Sequence, residues 1–158
     1  MISVLKQQYE WVHNSRSVLF TYCATLSPEA LAQEIPDFGR GSIRNLLVHN
    51  AITYQFWIGQ FALRQAILFA KASDFDNLET IQDLYAQVDK LVALFLQVFE
   101  NQLEIPIIGR NFSREKTLEI PPLQLFTHVI THEFHHKGQI LSMSRHLGYP
   151  PPDTDVVR

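Results

Sequence analysis

The stretch THVITHEFHHKGQI, residues 127–140, carries four of the seven histidines in the sequence. It follows Pro121 and Pro122, a residue type common in the first turn of a helix, and precedes Gly148, a residue type common just after a helix end. Between these helix-start and helix-stop residues, apolar side chains recur every three or four positions, which is the period of one helix face. The stretch therefore belongs to a long predicted helix that runs to Leu147 and fixes the spacing of its histidines.

The apolar stripe of this helix has two gaps, and histidine fills both of them. His132 and His136 stand one turn apart on the core-facing side. The other members of the stripe are Leu125, Val129, Ile140, Met143 and Leu147. A buried polar ring without a partner costs about 1–3 kcal/mol, so something must satisfy the two imidazoles. Hydrogen-bonded core histidines are one solution, but the pairing favours a metal ion on which both rings converge.

The other two histidines of the helix are less suited to that ion. His128 lies one turn before His132 at the edge of the stripe, about 12 Å along the axis from His136. His135 points further round, towards solvent or a neighbouring helix. We expect both to be surface residues or to support the ligands.

Upstream of this helix, the apolar periodicity predicts three more long helices and one short one. The long helices are expected at about residues 3–26, 43–70 and 78–103, and the short one follows Ser27 and Pro28. Residues 105–120 contain two short apolar runs around a polar turn, which predict an irregular loop or a minimal hairpin. The pattern is typical of an all-α four-helix bundle, and we expect one domain over residues 1–158.

Composition excludes several classes of protein. A net charge of −3 without a Lys/Arg cluster argues against binding to nucleic acid. The most apolar segment, LVALFLQVF, is too short to span a membrane, and the N-terminus lacks the apolar run of a signal peptide. The single cysteine, Cys23, cannot form an intramolecular disulfide and is expected to be buried. We therefore expect a cytoplasmic protein.

The letters HEFHH, residues 132–136, match the H-E-x-x-H signature of zinc proteases, but their context does not. The extended form of that signature requires a glycine and a histidine where this chain has Gln139 and Ser142. No glutamate follows Glu133 to serve as a later ligand, and no long strand is predicted to hold a peptide. We expect no protease activity.

A third ligand should come from another helix of the bundle. Two upstream histidines, His13 and His49, are candidates, and the pattern prefers His49 only modestly. His49 lies in SIRNLLVHNAITYQFW, residues 42–57. This segment, the stretch THVITHEFHHKGQI and the following LGYPPP together resemble the DinB/YfiT-like family over essentially the whole chain.

The resemblance implies a four-helix bundle that carries a divalent ion on His49, His132 and His136. Many relatives also have an acidic residue between His49 and Trp57, where this chain has none. Three neutral imidazoles suit Zn²⁺ or Ni²⁺ and leave the ion at least one open position. Characterised branches are similar to transferases and isomerases that use small thiols such as bacillithiol, mycothiol or glutathione.

Two functions follow as expectations. The first is a metal-dependent transferase or hydrolase that acts on a small-molecule substrate, with a low-molecular-weight thiol as cofactor. The second is a non-enzymatic, stress-associated metal-binding protein whose ion is structural. Glu133 is a candidate acid/base, although its angle favours a solvated or ion-paired side chain. The basic residues Arg40, Arg44 and Lys137 are candidates to contact an anionic thiol, and Trp57 is expected in the core.

We predict a homodimer, because the last helix carries a second apolar stripe on a different side from the histidines. Its members are Leu123, Phe126, Ile130, Phe134 and Leu141. The alternative is that the short helix at 27–33 or the 105–120 segment covers this stripe within one chain. Light scattering at micromolar concentration distinguishes the two, and a monomeric mass would contradict the dimer.

Overall fold

The computed structural model describes residues 1–39, 41–111 and 115–158. Its long α-helices pack around a common apolar core, and a β-hairpin precedes the last helix. The elements are α1 (Ile2–Cys23), α2 (Pro28–Ala32), α3 (Ile43–Tyr54), a π-helix that continues α3 (Gln55–Ala62), a 3₁₀ turn (Ala72–Asp74), α4 (Leu78–Val98), β1 (Ile107–Asn111), β2 (Lys116–Ile120) and α5 (Pro122–His146). The predicted four-helix architecture is confirmed.

Local sequence signals start and stop the helices. The side chains of Ser27, Ser42 and Asn77 accept hydrogen bonds from backbone N–H groups at the starts of α2, α3 and α4. Each bond satisfies a donor that the first helical turn leaves without an internal partner. After α5, Gly148 takes a φ of +84°, the left-handed conformation in which glycine carries no Cβ penalty.

The histidine helix turns its apolar stripe into the core. Four apolar residues of its core stripe, Leu125, Val129, Ile140 and Met143, are fully buried. α3 packs against α5 and α4, and α1 packs against α4 and α5. The sequence pattern therefore predicted both the existence of α5 and the face it turns inward.

The segment before α5 is a two-stranded antiparallel hairpin, so the hairpin alternative is the right one. Ile107 pairs with Ile120 at its open end, and Asn111 pairs with Lys116 near the turn. The polar turn predicted between the strands falls largely on residues 112–114, outside the described residues.

The predicted end of the second helix, at residue 70, is wrong. The helix ends at Ala62, and Arg64 adopts a φ of +59° that reverses the chain direction. Residues 63–71 then fold back, since the Gln65 N–H donates to the Gly59 carbonyl and the Ile67 side chain fills the space beside Gly59. Tertiary packing ends this helix where no glycine or proline marks a stop.

The helix predicted at 78–103, which is α4, also ends early, at Val98 rather than near residue 103. Leu103 is buried, and its carbonyl accepts a hydrogen bond from the Leu123 N–H at 2.9 Å. The chain leaves the helix because these residues anchor the start of α5. The first helix ends at Cys23, three residues before the predicted end.

The second apolar stripe of α5 is partly covered by its own chain. Phe126 is fully buried, and Leu123, Ile130 and Leu141 pack partly against the core. The Lys137 ammonium lies 3.9 Å from the centre of the Phe134 ring. The homodimer stays a prediction. Because much of the stripe packs within its own chain, less apolar surface is left for a dimer interface than the sequence indicates.

Within the described part of the chain, no helix combines the length and apolarity needed to cross a bilayer.

Cys23 is 0% exposed, and burial raises the pKa of its thiol to about 12. The expectation that Cys23 is buried is confirmed.

We predict opposite effects for two glycine-to-alanine substitutions. A Cβ at Gly109 would lie 2.6 Å from Cε2 of the buried Phe61 ring, so Gly109→Ala should lower the unfolding free energy by about 1–3 kcal/mol. Gly138 in α5 has open space around it, so Gly138→Ala should raise that free energy by about 0.5–1 kcal/mol. Urea unfolding measures both, and equal stability of the two variants would contradict the packing at Gly109.

Candidate metal centre

Two packed helices bring three histidines together. His49 comes from α3, and His132 and His136 come from successive turns of α5. Their candidate ligand nitrogens all lie within 4.8 Å of one another. His136 is buried, whereas His49 and His132 are half-buried. Of the two upstream candidates, the fold thus brings His49 to the α5 pair.

The separations suit a single small ion. The Nε2 atoms of His132 and His49 are 3.1 Å apart, and the His132 and His136 ring centres are 4.3 Å apart. Tetrahedral coordination with Zn–N bonds of about 2.0–2.1 Å places ligand nitrogens about 3.4 Å from each other. The cluster could therefore hold a metal ion after small adjustments of the rings.

Polar neighbours orient two of these rings. The Nδ1 atom of His136 is 2.6 Å from Oε1 of Gln139, and because an amide oxygen only accepts, we assign the proton to Nδ1. This tautomer puts the lone pair on Nε2, the nitrogen available to a metal. The Thr53 hydroxyl donates to the His49 carbonyl at 2.9 Å and lies 3.3 Å from His132 Nε2. Gln139 and Thr53 were not foreseen as site residues.

The surroundings keep His132 neutral. Desolvation by burial, together with the neighbouring imidazoles of His136 and His49, lowers the pKa of His132 to about 4. At pH 7 the ring is consequently unprotonated and offers a lone pair. Protons would compete with a metal ion for the His132 ring only in acid solution.

An open cavity of about 790 Å³ lies beside His49 of the cluster. His49 forms part of its wall, together with side chains from α3, the α2–α3 connection and the segment before α4. Among these are Glu34, Asn45, Ile52, Ala70 and Lys71. A small molecule in this cavity would approach the histidines from the His49 side.

The remaining histidines fall outside the three-histidine cluster. His128 and His135 are exposed, and their ring centres lie 5.5 Å and 6.4 Å from that of His132. The Trp57 ring is half-buried and packs edge-on against His128 at 5.5 Å, so it borders the site as well as the core. His13 lies on α1 with its Nε2 3.6 Å from Asp89.

Glu133 belongs to a buried ionic network rather than to solvent. It is 5% exposed and accepts hydrogen bonds from Arg16 Nε at 2.7 Å, Arg16 Nη2 at 3.0 Å and the Tyr54 hydroxyl at 2.6 Å. Arg16 Nη1 also donates to Asp89 at 2.7 Å. Of the two expected states, the ion-paired one is correct and the solvated one is wrong.

This network links the elements that carry the histidines. Tyr54 and Glu133 join α3 to α5 directly, and the Asn50 side chain also donates to the Glu133 carbonyl at 3.5 Å. The partners of Glu133 were not identified from the sequence. A signal was present, because Arg16 lies on the apolar face of α1 with Val12 and Leu19, where a charge requires a buried partner.

Two of the basic residues expected to contact an anionic thiol, Lys137 and Arg44, do not line the cavity beside His49. Lys137 is buried and donates to the Ser15 hydroxyl at 2.8 Å and the Thr154 carbonyl at 2.6 Å, and desolvation lowers its pKa. Arg44 lines a different cavity, beside Cys23 and Leu47. Arg40 lies outside the described residues. The exposed Lys71 is a basic residue in the cavity wall beside His49 that was missed.

Comparison with known proteins identifies relatives over the whole chain. The model of the DinB family matches residues 1–158. Protein DinB of Bacillus subtilis (strain 168) is 29% identical over 154 residues, an alignment that covers 93% of this chain and 88% of that protein.

We predict about one transition-metal ion per chain. Alanine at His49, His132 or His136 should abolish or sharply reduce metal content, because two imidazoles hold an ion far less tightly than three. The matched controls His128→Ala and His135→Ala should largely retain it. Elemental analysis of purified protein, with circular dichroism to confirm folding, is the measurement. Full occupancy in His49→Ala would refute the triad.

We predict that Glu133→Gln lowers the unfolding free energy by about 3 kcal/mol. The amide keeps the shape of the side chain but leaves the buried Arg16 with Asp89 as its remaining carboxylate partner. The exposed Glu10→Gln on α1 is the control and should change stability by less than about 0.5 kcal/mol. Urea unfolding of the metal-free proteins gives both values, and equal losses would contradict the network.

Proposed function

The chain belongs to the DinB family, and we propose that it is a metal-dependent transferase or hydrolase, with transfer of a small thiol as its favoured reaction. The observation that carries this proposal is the convergence of three histidines beside an open cavity. A cluster of this kind at a cavity wall can meet a ligand and a substrate together. The cavity is large enough for a small molecule.

The donor set supports Zn²⁺ or Ni²⁺ held by His49, His132 and His136. When bound, such an ion supplies positive charge that lowers the pKa of a coordinated thiol or water. The protein's part is to hold three neutral imidazoles in place. Gln139 fixes the His136 tautomer, and the low pKa of His132 keeps its lone pair available at pH 7.

The thiol has to come from outside the chain. Cys23 is completely buried with a raised pKa, and it lines the cavity that contains Arg44 rather than the one that contains His49. An added thiol would enter beside His49, where Lys71 and Asn45 provide polar contacts for its charged or amide groups. This arrangement favours a low-molecular-weight thiol of the bacillithiol, mycothiol or glutathione type.

In the transfer, the thiol sulfur forms a bond to an electrophilic carbon, and the leaving group departs with the bonding electron pair. The thiol proton passes to a base or to water. His128 is a suitable acceptor, since it is exposed, its ring centre lies 5.5 Å from that of His132, and desolvation lowers its pKa, which favours the neutral ring. Glu133 is unsuited to this role because Arg16 and Tyr54 occupy its carboxylate oxygens.

A structural ion is the competing function, and one observation favours it. The histidines lie directly against the Glu133 network, so an ion across α3 and α5 would also brace the bundle. Against this, the described residues that form the cluster are three histidines, two of them half-buried, beside a cavity open to solvent. A closed shell of four protein ligands is the usual form of a structural zinc site.

We predict that consumption of an electrophile requires both the bound metal and an added small thiol. The assay follows thiol loss with a generic electrophile for metal-loaded protein, chelated protein and the His132→Ala variant. Cys23→Ser is the matched control and should keep full activity, because its thiol is buried away from the cluster. Peptide hydrolysis should be undetectable.

Equal rates for metal-loaded protein and His132→Ala, across several thiols, would overturn the enzymatic proposal. Metal-dependent stability without metal-dependent turnover would then favour the structural ion.

A further inference from the structure

A row of aromatic rings leads from the histidine cluster to the surface. The His132 and His128 ring centres are 5.5 Å apart, and His128 is 5.5 Å from Trp57. Trp57 packs edge-on against Phe56 at 4.8 Å, and Phe56 lies 6.3 Å from Phe69. We name Phe56, Trp57 and Phe69 the aromatic shelf.

The shelf leaves apolar surface in water close to the cluster. Phe69 is 39% exposed, and Phe56 and Trp57 are half-buried. A single exposed apolar residue is ordinary, but grouped aromatic rings beside a cluster of potential metal ligands mark a binding surface.

The fold holds the shelf in place. Phe56 and Trp57 lie on the π-helix that continues α3, a helix form that is often found at functional sites. The segment carrying Phe69 is fixed by the Ile67 side chain beside Gly59 and by a hydrogen bond from the Arg64 guanidinium to the Ile108 carbonyl. The rings are thus preorganised, which reduces the entropy lost on binding.

The shelf and the cavity beside His49 share a rim. Ala70 and Lys71, which directly follow Phe69, line that cavity together with Ile52. His49, Ile52 and Phe56 are spaced three and four residues apart along the continuous helix, so they project from the same side. A molecule that reaches the histidines along this side passes the aromatic rings.

We propose that the aromatic shelf binds an aromatic ring of the electrophilic substrate and holds it next to the histidine cluster. This inference rests on the proposed thiol transfer and names the class of its second substrate. The polar part of the cavity, with Asn45 and Lys71, then takes the thiol, next to the ring held on the shelf.

The choice of an aromatic over an aliphatic group follows from ring geometry. Edge-to-face and tilted arrangements already join Phe56 to Trp57 and to Phe69. Another ring can continue this pattern, and aromatic pairs are stabilised beyond the effect of buried area. For one such contact we expect a change in affinity of about threefold to tenfold.

The first experiment measures binding without metal, thiol or turnover. Saturation-transfer NMR on the metal-free protein compares benzyl alcohol with cyclohexylmethanol, an aliphatic probe of similar size. We expect preferential binding of benzyl alcohol, reduced about threefold to tenfold by Phe69→Ala and by Phe56→Leu. Phe56→Leu keeps an apolar side chain and removes the ring, which guards against a packing defect. Leu68→Ala, next to Phe69 and fully exposed, is the matched control and should bind like the unaltered protein.

Equal binding of the two alcohols, or unchanged binding in both ring variants, would overturn the inference. So would failure of both probes to bind because a second copy of the chain covers the rings in a dimer.

The second experiment uses the metal-loaded protein with a thiol. Phe69→Ala should raise KM for benzyl chloride about threefold to tenfold relative to KM for chloroacetamide, whereas Leu68→Ala should leave the ratio unchanged. An unchanged ratio in Phe69→Ala would overturn the inference while leaving thiol transfer established. Absence of any turnover would overturn the proposed function, and the binding experiment would still decide whether the shelf selects aromatic rings.

Discussion

The arrangement of the bundle around its histidines depends on the buried ion pair between Glu133 and Arg16. Burying two charges is costly unless their hydrogen bonds are well formed, and here two bonds from Arg16 and one from Tyr54 converge on a single carboxylate. Arg16 in turn reaches Asp89 on α4. One network therefore joins α1, α3, α4 and α5, and it penalises any rotation or sliding of α5 that would break these bonds. Because Glu133 directly follows His132, the constraint that fixes the carboxylate also fixes the direction of the imidazole.

The stretch HEFHHK, residues 132–137, uses helical geometry twice. His132 and His136 form one row one turn apart that meets His49 of α3, whereas Glu133 and Lys137 form a second row, turned by about 100°, that meets Arg16 and Ser15 of α1. The second row also holds the C-terminal tail, since Lys137 donates to the Thr154 carbonyl. The residues that resemble a protease signature thus form one row of potential metal ligands and one structural row. In a zinc protease the glutamate would act on water, but here it binds a guanidinium.

Features recorded in local sequence were predictable, and features that depend on distant partners were not. The α5 stripe with its two histidine gaps is local and is present as expected, and the capping residues Ser27 and Ser42 are local signals of the same kind. Residues 63–70 have an apolar pattern that predicts a helix, yet they leave it because Ile67 packs back beside Gly59. No helix-terminating residue nearby indicates this change of direction. The burial of Lys137 likewise depends on Ser15 and Thr154, which are remote in sequence. Arg16 could have been noticed as a charge on an apolar face, but its partner Glu133 could not be chosen by periodicity. For His49 the resemblance to a family supplied what the pattern left open.

The two sides of α5 serve opposite requirements of a ligand site. On the α1 side, ionic contacts and hydrogen bonds among Arg16, Glu133 and Lys137 make the helix rigid, and rigid support keeps donor atoms near their productive positions. On the α3 side, His49 and His132 are half-buried, and His49 borders an open cavity that a small molecule can enter without unfolding any element. Burying the polar side chains of both rows costs desolvation free energy in a small core. Each row offsets this desolvation cost in a different way. The Glu133 row is satisfied by protein partners already in place, whereas the histidine row brings together three nitrogens whose natural common partner is a cation. This difference between the rows is the physical reason to assign stability to one and the proposed metal binding to the other.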